Sequence, residues 1–163
     1  MEQETINFYN KSKNYKWLST YFKGNNFNYK GRDYETIEHA FNSQKNMDSD
    51  YQDLFTVGTE TYLGEDPSVA KKTGKNTNLK KMKKKLIENW DTEQIGIMKD
   101  IIRIFLESNT EVKEKLVNTG DAQLINSGPG VDSFWGLNKG AGENHHGKIL
   151  MELRKEIEIN NSL

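Results

Sequence analysis

Four side chains in this sequence have the chemistry of a glycosidic-bond site: the carboxylates Glu38 and Asp132 and the rings Trp90 and Trp135. Breaking a bond from a sugar carbon to a nitrogen base needs an acid/base group for the base or the water. It also needs a carboxylate for the oxocarbenium charge and a ring on which the base can stack. Glu38 is followed at i+4 and i+7 by Asn42 and Lys45, so a helix through them presents a carboxylate and an ammonium on one face. A solvated Glu-to-Lys stripe is the plain structural alternative. Asp132 opens Asp132-Ser133-Phe134-Trp135-Gly136, and Gly140-Ala141-Gly142-Glu143-Asn144 then runs into an amphipathic segment. Glycines let backbone approach a ligand closely, and a helix N-terminus favours anions. An ordinary turn before a last helix is the competing reading there. The run Lys80-Lys81-Met82-Lys83-Lys84-Lys85 before Trp90 is read first as a solvated face and second as a phosphate attractor.

Other chemistries find no matching pattern. The chain has no cysteine, which excludes thiol nucleophiles, disulfides and cysteine-held metal. Ser-His-Asp order, a Walker loop and His-Glu-x-x-His are absent. Gly140-x-Gly142 lacks the third glycine of a dinucleotide turn, and no buried strand is expected ahead of it. His145 and His146 are adjacent and so face different sides of a helix, which argues against a shared metal. Neither metal nor cofactor is expected. The 163 residues carry a formal charge of -1, which argues against general affinity for a nucleic-acid backbone. Hydrophobic residues make up 34%, so the seven Tyr, seven Phe and three Trp are expected to carry much of the core. No apolar run reaches membrane length, and the expectation is a soluble, cytoplasmic protein with no membrane partner. One domain over 6–158 is expected, with tails at 1–5 and 159–163.

The elements that must position these groups can be read in order. Phe27 to Tyr34 reads as a hairpin turning at Gly31. A helix through Thr36 to Lys45 turns Ile37, Ala40 and Phe41 inward. A second helix is expected over Asp48 to Gly64. Asp66-Pro67 starts another, which Gly74 stops. Met98, Ile101, Ile102 and Phe105 mark a core helix. Asn109 or Thr110 begins a short helix holding Val112 and Leu116, closed by Thr119-Gly120. Ile149, Leu150, Leu153 and Ile157 form the buried side of the last one.

Asp132, Phe134, Trp135, Gly136, Gly140, Gly142, Asn144, Gly147, Leu150, Met151 and Arg154 fall on the C-terminal signature of the YbiA-like (NADAR) proteins, which the chain resembles. Thr36, Glu38, His39, Phe41, Gln44 and Lys45 match a second motif, and Asp66, Pro67, Ala70 and Gly74 a third. Leu18-Ser19 is similar to the start of a fourth, and the likeness runs from Phe8 to Arg154. The resemblance implies an α+β fold, mainly α: a compact single-domain helical fold of that type with a small N-terminal β-hairpin. It implies an N-glycosidase that cleaves the C1′ to nitrogen bond of ribosides. Two substrate classes follow from it: phosphorylated ribosylamino-pyrimidines of riboflavin synthesis, and ADP-ribose on guanine, with contact to ADP-ribosylated nucleic acid. Glu38 would be the acid/base and Asp132 the second carboxylate. Ser19, Lys45, Trp90, Trp135, Gly136 and Asn144 would bind substrate, Lys45 at phosphate and the tryptophans at base or ribose. The family pattern is broken at Thr20 (usually Asn), Gln94 (usually basic) and Asn126 (usually acidic). A non-catalytic module for ADP-ribose or NAD derivatives is therefore the alternative.

Overall fold

In chain order the elements are β1 (Thr5–Phe8), a 3-10 turn (Lys16–Leu18), β2 (Phe27–Tyr29), β3 (Arg32–Tyr34), α1 (Ile37–Ser43), α2 (Ser49–Asp53), α3 (Pro67–Thr73), α4 (Asn76–Lys81), α5 (Trp90–Ser108), α6 (Thr110–Asn118), β4 (Gln123–Asn126) and α7 (His145–Asn161). The computed structural model describes residues 2–163. Helices dominate and the strands are short, so the class is α+β, mainly helical. The chain divides into two compact units. One joins the N-terminal segment up to Phe22 with Asn109–Leu163, and the other is Lys23–Ser108.

In the Lys23–Ser108 unit, β2 and β3 pair antiparallel with Phe27 opposite Tyr34 and Tyr29 opposite Arg32. The expected hairpin forms for a local reason. Lys30 and Gly31 take φ of 51° and 86°, the twist that suits a two-residue connection between right-twisted strands. Phe27, Tyr29 and Tyr34 are buried, and Phe105 of α5 meets Phe27 edge-on at 5.6 Å. Helix α1 starts where Thr36 caps it, its Oγ1 accepting from the His39 N–H at 3.2 Å. All seven of its residues are buried. It packs against α3, α5 and β3, so the unit is built around it. In α5, Met98, Ile101, Ile102 and Phe105 are buried at the spacing read from sequence, and the helix starts earlier, at Trp90.

The helix expected over Asp48 to Gly64 is a correction. Only Ser49–Asp53 is α-helical, and turns and bends follow to Thr61. Competing bonds explain it. The Val57 N–H leaves the helical ladder for Asp33 O at 3.0 Å. Thr56 and Thr59 hydroxyls donate to the Gln52 and Asp53 carbonyls. The Arg32 guanidinium pulls Asp53 (2.7 Å) and Thr56 (3.1 Å) toward the hairpin. Helix α3 follows expectation: the Asp66 carboxylate accepts from the Ser68 N–H at 2.9 Å and Gly74 stands at its end.

In the other unit, β1 and β4 form a two-stranded parallel sheet, Ile6 opposite Leu124 and Phe8 opposite Asn126. This strand pair was not expected, and β4 with its buried Leu124 does precede the glycine-rich loop. Parallel pairing joins segments remote in sequence, so local pattern carries little sign of it. Helix α7 lies on β4. Ile149, Leu150 and Leu153 are buried with His146, Gly147 and Arg154, while Ile157 is only half-buried. The segments expected as tails carry structure: Thr5 pairs with Gln123, and α7 continues to Asn161.

Candidate active site

Glu38 sits in the first turn of α1, 8% exposed. Asn42, one turn later and 1% exposed, donates Nδ2 to the Glu38 carbonyl at 2.8 Å and to its Oε1 at 3.0 Å. Lys45 follows just past the helix end. Its Nζ donates to Gly74 O at 2.9 Å and stands 5.8 Å from the ring centres of both Phe41 and Trp90. Burial pulls the Lys45 ammonium below the ordinary lysine range, the Glu38 charge opposes that, and Lys71 adds to it. Trp90 is buried against Phe41 at 5.1 Å. Glu38, Asn42, Lys45 and Trp90 are thus brought to one face of the central helix and its surroundings. Sequence spacing had placed Asn42 on that face without giving it a task.

His39, the next residue, turns the other way. Its Nε2–H donates to Gly64 O at 2.9 Å, which leaves Nδ1 to accept from the Thr36 hydroxyl at 2.7 Å. That pairing suits a neutral ring, and burial holds its pKa below the usual value. The basic run is split: Lys84 is tied to Asp48 (3.0 Å) and Asp50 (2.7 Å), whereas Lys80, Lys81, Lys83 and Lys85 are exposed.

The glycine-rich loop is built by its own hydrogen bonds. Asp132 is exposed, and its Oδ1 accepts from the Phe134 N–H (3.0 Å) and the Trp135 N–H (2.7 Å). The half-buried Trp135 meets Phe134 edge-on at 4.9 Å, and Phe134 lies 4.5 Å from the His145 ring. The opening of α7 is not bare. His145 and His146 N–H groups donate to the Phe134 and Trp135 carbonyls at 3.2 and 2.9 Å, so the anion attraction expected of this helix start is spent on the loop. Asn144 is held left-handed at φ 52°, with Oδ1 accepting from Asn126 N–H and Nδ2 donating to Leu124 O, both at 3.0 Å. Its amide therefore works as an extra rung on β4. At Gly136 a Cβ would collide with Asn126 O and the Val131 side chain, so glycine there serves close packing on β4. Ser19 is buried, its Oγ accepting from the Tyr21 N–H at 3.1 Å. Among the described residues no three His, Asp or Glu side chains group as metal ligands, and no helix is long and apolar enough to cross a membrane.

A buried, hydrogen-bonded carboxylate, a half-buried lysine and a buried tryptophan, in a mainly helical α+β chain, make a residue set suited to acid/base chemistry. The NADAR domain family model matches residues 7–158, and the chain belongs to that family. It is 31% identical over 160 residues to "N-glycosidase YbiA" of Shigella flexneri serotype 5b, covering 98% of this chain and 92% of that protein. It is 32% identical over 124 residues to "N-glycosidase Npun_R5314" of Nostoc punctiforme, covering 75% of this chain and 73% of the relative. The NMR structure of the E. coli protein YbiA superposes with a TM-score of 0.81 at 29% identity, over 99% of this chain and 89% of that one.

Proposed function

We propose that this protein is an N-glycosidase that hydrolyses the C1′ to nitrogen bond of a phosphorylated riboside, with Glu38 as the acid/base. The observation that carries the reading is the Glu38 carboxylate itself, buried at the start of α1 and oriented by the Asn42 amide at 3.0 Å. A proton-transfer group works best when held in one geometry with little water around it. Lys45 is the phosphate contact in this reading: one of its three N–H groups is used by Gly74 O, which leaves donors for a ligand oxygen. Trp90 supplies an aromatic wall next to it. Asp132 as the charge-stabilising carboxylate and Trp135 as a stacking ring belong to the reading on the chemistry of their residue types. The curated relatives named as N-glycosidases support the bond cleaved.

Two substrates test it: a ribosylamino-pyrimidine 5′-phosphate and an oligonucleotide carrying ADP-ribose on guanine. The purified protein releases free base from one of them, read by mass spectrometry. Glu38→Gln lowers that rate by about 10²–10⁴ while the protein stays folded. Turnover of Glu38→Gln within about two-fold of wild type, far inside that range, removes Glu38 from the chemistry.

A further inference from the structure

We infer that Asn42 is the positioning residue for Glu38 in the proposed hydrolysis and that Gly74 is glycine so that Asn42 can do this. The inference rests on the reading of Glu38 as acid/base and adds the device that orients it. Asparagine is a poor choice for a helix interior, because its amide competes for backbone groups and favours caps and turns. In α1 it is nonetheless 1% exposed, where an apolar residue of similar size would fill the space without burying an amide. What the amide does there is specific. Nδ2 is bonded both to Glu38 O, which anchors the amide to the helix, and to Glu38 Oε1, which selects one orientation of the carboxylate. The far side of the amide rests on the end of α3: a Cβ at Gly74 would lie 2.8 Å from Asn42 Cγ, 2.9 Å from its Cβ and closer still to Oδ1. Gly74 has φ -79°, a backbone that alanine adopts freely, and the three nearest atoms its Cβ would meet are all of Asn42. The Gly74 carbonyl in turn receives the Lys45 ammonium. One turn of α3 thus braces both Asn42 and Lys45.

Lys45, just past α1, and His39 of α1 both feel the Glu38 charge, Lys71 of α3 acts on Lys45, and Glu35 and Asp66 act on His39. Asn42 touches the carboxylate itself, through a neutral N–H.

The test compares Asn42→Leu, Asn42→Asp and Gly74→Ala with Glu38→Gln on whichever substrate the wild type cleaves, the ribosylamino-pyrimidine 5′-phosphate or the ADP-ribosyl oligonucleotide. Expected is a fall in kcat of about ten-fold or more with KM within about two-fold, as for loss of an interaction made in the transition state. Asn42→Asp, which replaces the N–H donor with a like charge beside Glu38, falls furthest. Gly74→Ala matters most, because it leaves both Asn42 and Glu38 chemically intact and reaches Asn42 through the added Cβ; each variant is read only once its circular dichroism shows it folded. If folded Gly74→Ala and a folded Asn42 variant keep wild-type kcat while Glu38→Gln is inactive, the positioning role is wrong and the function stands. If Glu38→Gln is itself active, both fall.

Discussion

Asp132 and Glu38, the two carboxylates of the proposed hydrolysis, differ in circumstance. Glu38 is buried with one oxygen held by a side-chain amide. Asp132 is exposed and holds two loop N–H groups on a single oxygen. Asparagine at 132 keeps an acceptor for those amides and removes the charge, so the two roles separate. Asp132→Asn is expected to unfold at the wild-type temperature; if Asp132 has the charge-stabilising role proposed for it, kcat falls at least about ten-fold, because such a charge acts on the transition state more than on the bound substrate. Asp132→Ala is expected to lose kcat and also about 1–2 kcal/mol of stability, the usual cost of removing a side-chain cap. Thermal unfolding beside steady-state kinetics checks both, and unaltered kcat in Asp132→Asn would confine the residue to its loop.

At the scale of elements, α7 is joined to β4 through Asn144, and Gly147 lets the helix approach the Leu124 carbonyl. Asn144→Ala leaves the Asn126 N–H and the Leu124 carbonyl without their partner and puts alanine at φ 52°. Each unsatisfied buried backbone group costs about 1–3 kcal/mol. The expected loss is therefore at least about 2 kcal/mol in denaturant unfolding, the signature of a structural residue. A variant that unfolds like wild type but binds substrate more weakly would return Asn144 to the ligand. The same reasoning explains which elements were legible. The hairpin at Gly31, the Asp66-Pro67 start of α3 and the Met98 to Phe105 stripe depend on neighbours within a few residues, and each appears as read. The stretch after Asp53 escaped the reading because hairpin residues Asp33 and Arg32 capture its polar groups.

For the whole molecule, pH is the sharpest probe. His146 is buried, 5.1 Å edge-on from Phe8, and burial lowers its pKa from 6.5 to about 4. His39 shifts in the same direction. Between those values the unfolded chain binds more protons than the folded one, so stability is fully present above about pH 6.5 and is lost as pH falls toward 4. At about 1.4 kcal/mol per pH unit, a shift from 6.5 to about 4 amounts to about 3 kcal/mol for His146 alone. Denaturant unfolding from pH 7.5 to 4.5 should show this decline, and His146→Leu should flatten it. A wild-type curve level across that range would mean that His146 is not buried as a neutral ring.

The sequence by itself determined the family, through motif residues spread from Phe8 to Arg154, and the helices whose apolar spacing and caps are local. It also named Glu38, Lys45 and Trp90 as chemically suited residues. Only the tertiary structure decided what the polar side chains do. Asn144 bonds to β4 and Gly136 packs against it, Asp132 acquired its two loop amides, and Asn42 emerged as the partner of Glu38 with Gly74 behind it. The parallel pairing of β1 with β4 was equally hidden. The physical reason is common to all of them. A hydrogen bond or a close backbone approach is satisfied by whichever group the fold brings within about 3 Å, and a one-dimensional pattern does not encode which group that will be.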